Sequence, residues 1–199
     1  MNNKSELNLF FSTPVWTSII ENYKDVNSKM LNYIKKLQTN NPLGISKSNL
    51  LGWHSENFDL NDNIIKYFLD AISANINNAI QDMGWDPKKN KLQITSMWSI
   101  INKKDASNSR HIHSNNYISA AYYVKAPENC GDIIFYDPRE ANVIRKPNIL
   151  EPNKLNANIM NISPKEGLLV LFPSYLHHSV DFNKSDDERV VISFNINLT

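Results

Sequence analysis

Apolar residues recur every three or four positions in two stretches of the first half of the chain, and every second position through much of the second half. Tyr23, Val26, Met30, Tyr33, Ile34 and Leu37 make one helical stripe. Asn40, Asn41, Pro42 and Gly44 end it by turn chemistry. Ile64, Phe68, Ile72, Ile76, Ile80 and Met83 make a second, with Gly84 where a C-terminal cap belongs. Such stripes predict helices laid on a core rather than cofactor-binding segments. Ahead of them, Leu7 to Ser12 followed by Thr13-Pro14-Val15-Trp16 predicts a short opening strand, which Pro14 confines to a sheet edge.

From Lys91 onward the texture is that of strands. Leu92 to Ile100, Tyr117 to Val124, Asp132 to Tyr136, Asn156 to Ile162, Gly167 to Phe172 and Glu188 to Leu198 are separated by Pro, Asn, Gly and Asp clusters. The last strand alternates strictly. Val190, Ile192, Phe194, Ile196 and Leu198 make one apolar face, which needs another layer to cover it, plausibly the helices. Arg189, Val191, Ser193, Asn195 and Asn197 make the other, suited to a solvated pocket. Tyr117, Ser119, Ala121 and Tyr123 alternate in the same way against Ile118, Ala120, Tyr122 and Val124. Two helices followed by many short strands predict a mainly β protein, a sandwich or barrel with helices packed on one face. No linker, repeat or charge block divides the chain. A single domain over 1–199 is expected, with 1–90 as helical support and 91–199 as the β core.

The 199 residues suffice for one well-covered core. Net charge is +1, from 21 basic against 20 acidic side chains, so no electrostatic footprint argues for nucleic acid. The single cysteine, Cys130, has no internal partner for a disulfide, which fits a reducing cytoplasm. No apolar run reaches the roughly 18 residues that span a bilayer, and Met1 to Glu6 lacks the apolar core of a secretion signal. A cytoplasmic protein without a membrane partner is expected, with a homodimer as the default for a small enzyme.

The chemistry concentrates in Arg110-His111-Ile112-His113-Ser114 and Phe172-Pro173-Ser174-Tyr175-Leu176-His177-His178, followed by Arg189. On a strand, His111 and His113 would leave the same face. A third imidazole from a distant strand, His177 or His178, would complete a three-sided cap on a metal with positions left open. Strand neighbours face opposite ways, so only one of that pair should reach the metal. An arginine near such a cap can hold a carboxylate with two prongs. Each part is weak alone, since a lone histidine is more often structural or exposed, and His54 after Trp53 is read so. Trp98 is read as core. Three histidines could also hold zinc with a water in the fourth place, so a zinc hydrolase is chemically conceivable.

Four segments, taken together, resemble the 2-oxoglutarate and Fe(II)-dependent oxygenases with a double-stranded β-helix core, in a branch with His-x-His where His-x-Asp or His-x-Glu is usual. They are Met97 to Asn102, His111 to Val124, Gly131 to Arg139, and Pro164 to His178 continuing to Arg189 through Asn195. The resemblance implies a jelly-roll core flanked by helices, with Fe(II) and 2-oxoglutarate as cofactors. It implies His111, His113 and His178 as catalytic metal ligands, the last standing before Ser179-Val180, with His177 as its neighbour. It implies Arg189 on the far carboxylate of 2-oxoglutarate, with Ser119 before Tyr123-Val124 contacting the same carboxylate. Tyr123 and Asn195 complete the expected cosubstrate set. Val191 stands where many members have the serine of Arg-x-Ser. The implied activity is hydroxylation of a small molecule or peptide with release of succinate and CO2.

Two other readings stay open. A cupin-like three-histidine dioxygenase would carry a glutamate shortly after His-x-His, and Ser114 to Ile118 contains none. A non-catalytic metal- or ligand-binding β-domain would follow if the third histidine had abolished turnover. Arg110, Asn115, Asn116 and Asp137-Pro138-Arg139 either meet substrate or serve turns.

Overall fold

A computed structural model describes residues 5–139 and 147–199. The chain runs β1 (Trp16–Ile19), α1 (Tyr23–Asn40), β2 (Asn49–Leu50), β3 (Trp53–His54), α2 (Asn63–Asp82) and β4 (Leu92–Asn102). It continues through β5 (Ser107–His111), β6 (Ile118–Lys125), β7 (Ile133–Tyr136), β8 (Ile159–Ile162), β9 (Leu168–Pro173), β10 (His178–Val180) and β11 (Arg189–Leu198). A six-stranded sheet in the order β1-β9-β6-β11-β4-β3 faces a five-stranded one in the order β2-β5-β10-β7-β8. The strand pairs are antiparallel, and the architecture is the mainly β, double-stranded β-helix core with flanking helices that the sequence implied.

Both helices form where the apolar stripes put them. At the start of α2, Asp62 accepts the Ile64 N–H at 2.8 Å, and at its end Gly84 takes φ +67. The Gly84 N–H reaches Gln81 O at 2.9 Å and the Trp85 N–H reaches Ile80 O at 3.2 Å. That pair of bonds is a Schellman cap, and it depends on a left-handed residue that glycine adopts without steric cost. α1 runs three residues past Leu37, to Asn40.

The buried stripes of both helices meet one face of the six-stranded sheet. Val26, Met30, Ile34, Ile65, Phe68 and Ile72 pack with Ile118, Ala120, Tyr122, Val124, Val190, Ile192, Phe194 and Ile196. Tyr122 Oη donates to Asn27 Oδ1 at 2.6 Å, which ties β6 to α1. The alternate residues Ala121, Tyr123 and Val191, with Val170 and Phe172, turn the other way onto Ile133 and Phe135 of the facing sheet. Period-two alternation thus separates a helix-facing core from a sheet-facing one.

Three local features differ from the pattern reading. The opening strand lies at Trp16–Ile19 rather than within 7–16, because pairing with Leu168–Leu171 begins after Pro14, and Leu9, Phe10 and Phe11 stay exposed. It is an edge strand, as the proline required. The short β2 and β3 have no periodic signature, since two-residue strands carry none. Both β1 and β3 join the six-stranded sheet, so the first half of the chain also builds the β core.

Phe68 is fully buried and touches the Tyr122 and Phe194 rings at centroid distances of 5.0 and 6.3 Å. Phe68→Ala should therefore destabilise the fold by about 3–5 kcal/mol, read as a lower urea midpoint with unchanged m.

Candidate metal centre

His111 ends β5, and His178 opens β10 directly opposite it. The register slips between these strands, so Asn108 faces Val180 while His111 faces His178. Two residues, Ser109 and Arg110, lie opposite Ser179 in a β-bulge, which lets Asn108 and His111 both reach the interior. Arg110 instead stacks over the Tyr136 ring at 4.1 Å. His113 lies past the strand end and is not placed by strand alternation. Its backbone N–H donates to Ser174 O at 3.0 Å, which folds it back beside His111.

The three rings offer nitrogens that all lie within 4.8 Å of one another. Among the described residues they are the one group of potential metal-ligating side chains that converges in this way. His111 Nδ1 lies 2.7 Å from Ser109 O, and His178 Nδ1 lies 3.0 Å from Leu176 O. A carbonyl only accepts, so each Nδ1 carries the proton and each Nε2 presents a lone pair. His113 Nε2 stands 3.3 Å from His178 Nε2. His177 is exposed, and its carbonyl accepts the Tyr136 N–H at 3.0 Å. The two neighbours are thus separated at the entry to β10, His177 exposed just before the strand and His178 buried as its first residue.

Burial dominates the electrostatics. It pushes His178 down to about 3, with the His111 ring adding to the effect. Burial likewise lowers His113 to about 4, reinforced by His111 and His54, and it lowers His111 against the opposing Ser109 bond. All three imidazoles are neutral near pH 7, the state in which they can donate to a metal.

Arg189 occupies the same cavity at the start of β11, opposite Asn102 on β4, and is 1% exposed. Its Nη1 donates to the carbonyls of Cys130 and Gly131, the latter at 2.9 Å. Gly131 takes φ +87, a conformation that favours glycine. Nε and Nη2 of Arg189 are buried with no partner. None of the ion pairs among the described residues involves Arg189, and no carboxylate lines the cavity. A buried cation with two idle donors is costly unless an anion completes it.

Tyr123 also lines the cavity, and burial pushes its phenol well above the ordinary value. Ser119 and Asn195 are not brought to Arg189. Ser119 Oγ bonds Asn195 Oδ1 and Ser174 Oγ, each at 2.8 Å. Asn195 lies six positions along β11 from Arg189 (189 to 195), about 20 Å at strand rise. Asp137 and Arg139 hold their own turn through bonds of 2.9 and 2.8 Å. Asn116 binds Thr95 and Ser114, and Asn115 takes φ 62.

Two cavity features escaped sequence reasoning. Trp98 is buried as expected of core, yet it forms part of the cavity wall and stacks on His113. His54 is buried and stacks on Trp98, with centroids 5.7 Å apart and planes 8° apart. Neither carries a local signal, because both acquire their neighbours across sheet pairing.

A double-stranded β-helix with three converging histidines has the donor set of the mononuclear non-haem metal proteins. Residues 96–195 match the family described as "Putative 2OG-Fe(II) oxygenase", and the chain belongs to that family. It is a 2-oxoglutarate- and Fe(II)-dependent oxygenase. Among solved structures it is similar to a prolyl-4-hydroxylase of Pseudomonas putida, at TM-score 0.65 and 12% identity over 94% of this chain and 93% of that one. It is also similar to the viral collagen prolyl hydroxylase of Paramecium Bursaria Chlorella virus-1, at TM-score 0.57 and 13% identity over 92% and 94% of the two chains. The epimerase SnoN from nogalamycin biosynthesis gives TM-score 0.64 and 10% identity over 93% and 78%. At these identities the likeness is one of fold. No curated protein sequence matches the chain.

The depressed histidines set a pH dependence for the metal-free protein. In the unfolded chain they return to about 6.5, so the unfolded state binds protons first as pH falls. Their contribution to stability is complete above about 6.5 and is lost progressively towards the folded values of about 4 and 3. The urea midpoint of the apoprotein should fall between about pH 7.5 and 5, and fall less in His178→Gln.

Proposed function

We propose that His111, His113 and His178 hold Fe(II) and that Arg189 anchors the far carboxylate of 2-oxoglutarate in a hydroxylase-type oxygenase. Arg189 carries the reading: a buried guanidinium with two unpartnered donors shares a cavity with the three imidazoles. The donor set fits a divalent transition metal, because three neutral nitrogens converge and two of the rings are fixed in the ligating tautomer by backbone carbonyls. It fits a dianionic cosubstrate too. Three neutral ligands leave the metal charge uncompensated, which favours an anion more than a carboxylate-bearing set would.

When bound, Fe(II) and 2-oxoglutarate would supply, with O2 as the oxidant, an oxidative decarboxylation that yields CO2 and puts one oxygen atom of O2 into succinate and the other into a substrate C–H bond. The chain supplies position. Arg189 holds the carboxylate with charge-assisted bonds, each worth roughly 1.5–3 kcal/mol. Phe172, Val191, Ala121 and Ile133 give the cavity an apolar part of its wall. Tyr123, with its raised pKa, stays a neutral phenol and moves no proton near neutrality.

The substrate proposed is a small molecule or a peptide. The similar structures include prolyl hydroxylases, the epimerase SnoN and HygX with hygromycin B bound, so one fold serves several substrates and fold alone does not choose among them. Cytoplasmic residence as a single oxygenase domain is part of the same reading, supported by the free, buried Cys130.

Arg189→Ala should weaken 2-oxoglutarate binding to the Ni(II)-loaded protein about 10- to 100-fold while leaving metal binding intact. Unchanged cosubstrate affinity in that titration removes the role from Arg189. His178→Ala should abolish Ni(II) binding, whereas His177→Ala should leave it unaltered; the reverse result reassigns the third ligand.

A further inference from the structure

Two of the three converging histidines are held by hydrogen bonds and the third is not. His111 and His178 are fixed through Nδ1 on the carbonyls of Ser109 and Leu176. Among the described residues His113 has no such bond, and its single ring contact of hydrogen-bonding type is the 3.3 Å approach of Nε2 to His178 Nε2. One flat face is what the protein grips. The Trp98 ring stacks on His113 with centroids 5.5 Å apart and planes 28° apart, while the His178 ring is near-parallel at 9° and turns its Nε2 towards His113 Nε2. Trp98 is itself held. It sits in mid-strand on β4 opposite Ser193, is 9% exposed, and has the His54 ring parallel to it at 5.7 Å. His54 in turn is fixed by Nδ1 on Ser55 O at 2.6 Å.

We propose that Trp98, backed by His54, is the positioning residue for His113, an aromatic wall doing for the third ligand what a backbone carbonyl does for the other two. The inference rests on the three-histidine reading above. Its physical basis is the shape of the group at position 113. An imidazole presents two apolar-edged faces and one lone pair, so a parallel ring can set its plane without a hydrogen bond. Stacking leaves the ring free to exchange tautomers. His178 Nε2 is already a lone pair, so in the metal-free protein His113 Nε2 carries the proton and donates to it. Ligation through Nε2 would then need that proton to move to Nδ1, which no hydrogen bond among the described residues blocks. A hydrogen-bonded partner on Nδ1 would have fixed one tautomer at all times.

The test uses the full-length apoprotein and Co(II) as the probe, read by its visible absorption and by competition with a chelator. Trp98→Phe keeps an aromatic face and should bind Co(II) within about threefold of the wild type. Trp98→Leu should bind about 10- to 100-fold more weakly, the range expected for loss of a ligand-orienting partner. Equal affinity in Trp98→Leu and the wild type overturns the role of Trp98 while leaving the three-histidine site standing. Equal loss in Trp98→Phe overturns a role for the ring face. A wild type that binds no Co(II) overturns both this proposal and the metal reading beneath it. Imidazole ¹⁵N spectra of the wild-type apoprotein keep the idea testable should Trp98→Leu fail to fold. His111 and His178 should appear as Nδ1–H tautomers and His113 as Nε2–H, and a His113 locked as Nδ1–H overturns the argument.

Discussion

The central strands of the six-stranded sheet, β9, β6 and β11, are buried on both faces, and the rest of the molecule follows from that constraint. One face carries Ile118, Ala120, Tyr122, Val190, Ile192 and Phe194 against the helices. The other carries Ala121, Tyr123, Val170, Phe172 and Val191 against the smaller sheet. Because the central strands are apolar on both sides, few polar groups can sit between the sheets without a partner. Those that do are held by strands whose register cannot slip, since a one-residue shift would invert both cores at once. The cavity inherits its rigidity from this arrangement.

Within that frame the site sets a cation against a group of neutral donors. Arg189 is anchored on two carbonyls and keeps two donors idle, while the three imidazoles nearby are held neutral by burial. On the proposed reading such an interior would gain by taking up charge of both signs, a divalent cation at the histidines and a carboxylate at the guanidinium. The membership of the chain in the 2OG-Fe(II) oxygenases agrees with that balance. A third histidine in place of a carboxylate shifts it towards the anion. Its ring also needs a flat support, which Trp98 offers across the sheet.

Much of this was legible in the chain as written. The helical stripes, the alternation of β6 and β11 and the choice between buried and exposed positions follow from periodicity, because side-chain direction is fixed by backbone geometry. Short strands were not legible. Ser107 to His111 is polar and β2 and β3 have two residues each, so their pairing is decided by longer neighbours. The opening strand shifted for the same reason, its register being set by β9 rather than by its own composition.

The sequence by itself determined which side chains are the candidates for chemistry, three histidines and one arginine, since residue type is a local property. Only the tertiary structure decided how they meet. The bulge opposite Ser179 turns His111 inward, the Ser174 carbonyl folds His113 back, and His178 enters β10 buried while His177 before it stays exposed. It also separated Ser119 and Asn195 from Arg189 and made a cavity wall of Trp98. These are distances between strands far apart in the chain, and they are set by which strands pair, which no local pattern encodes.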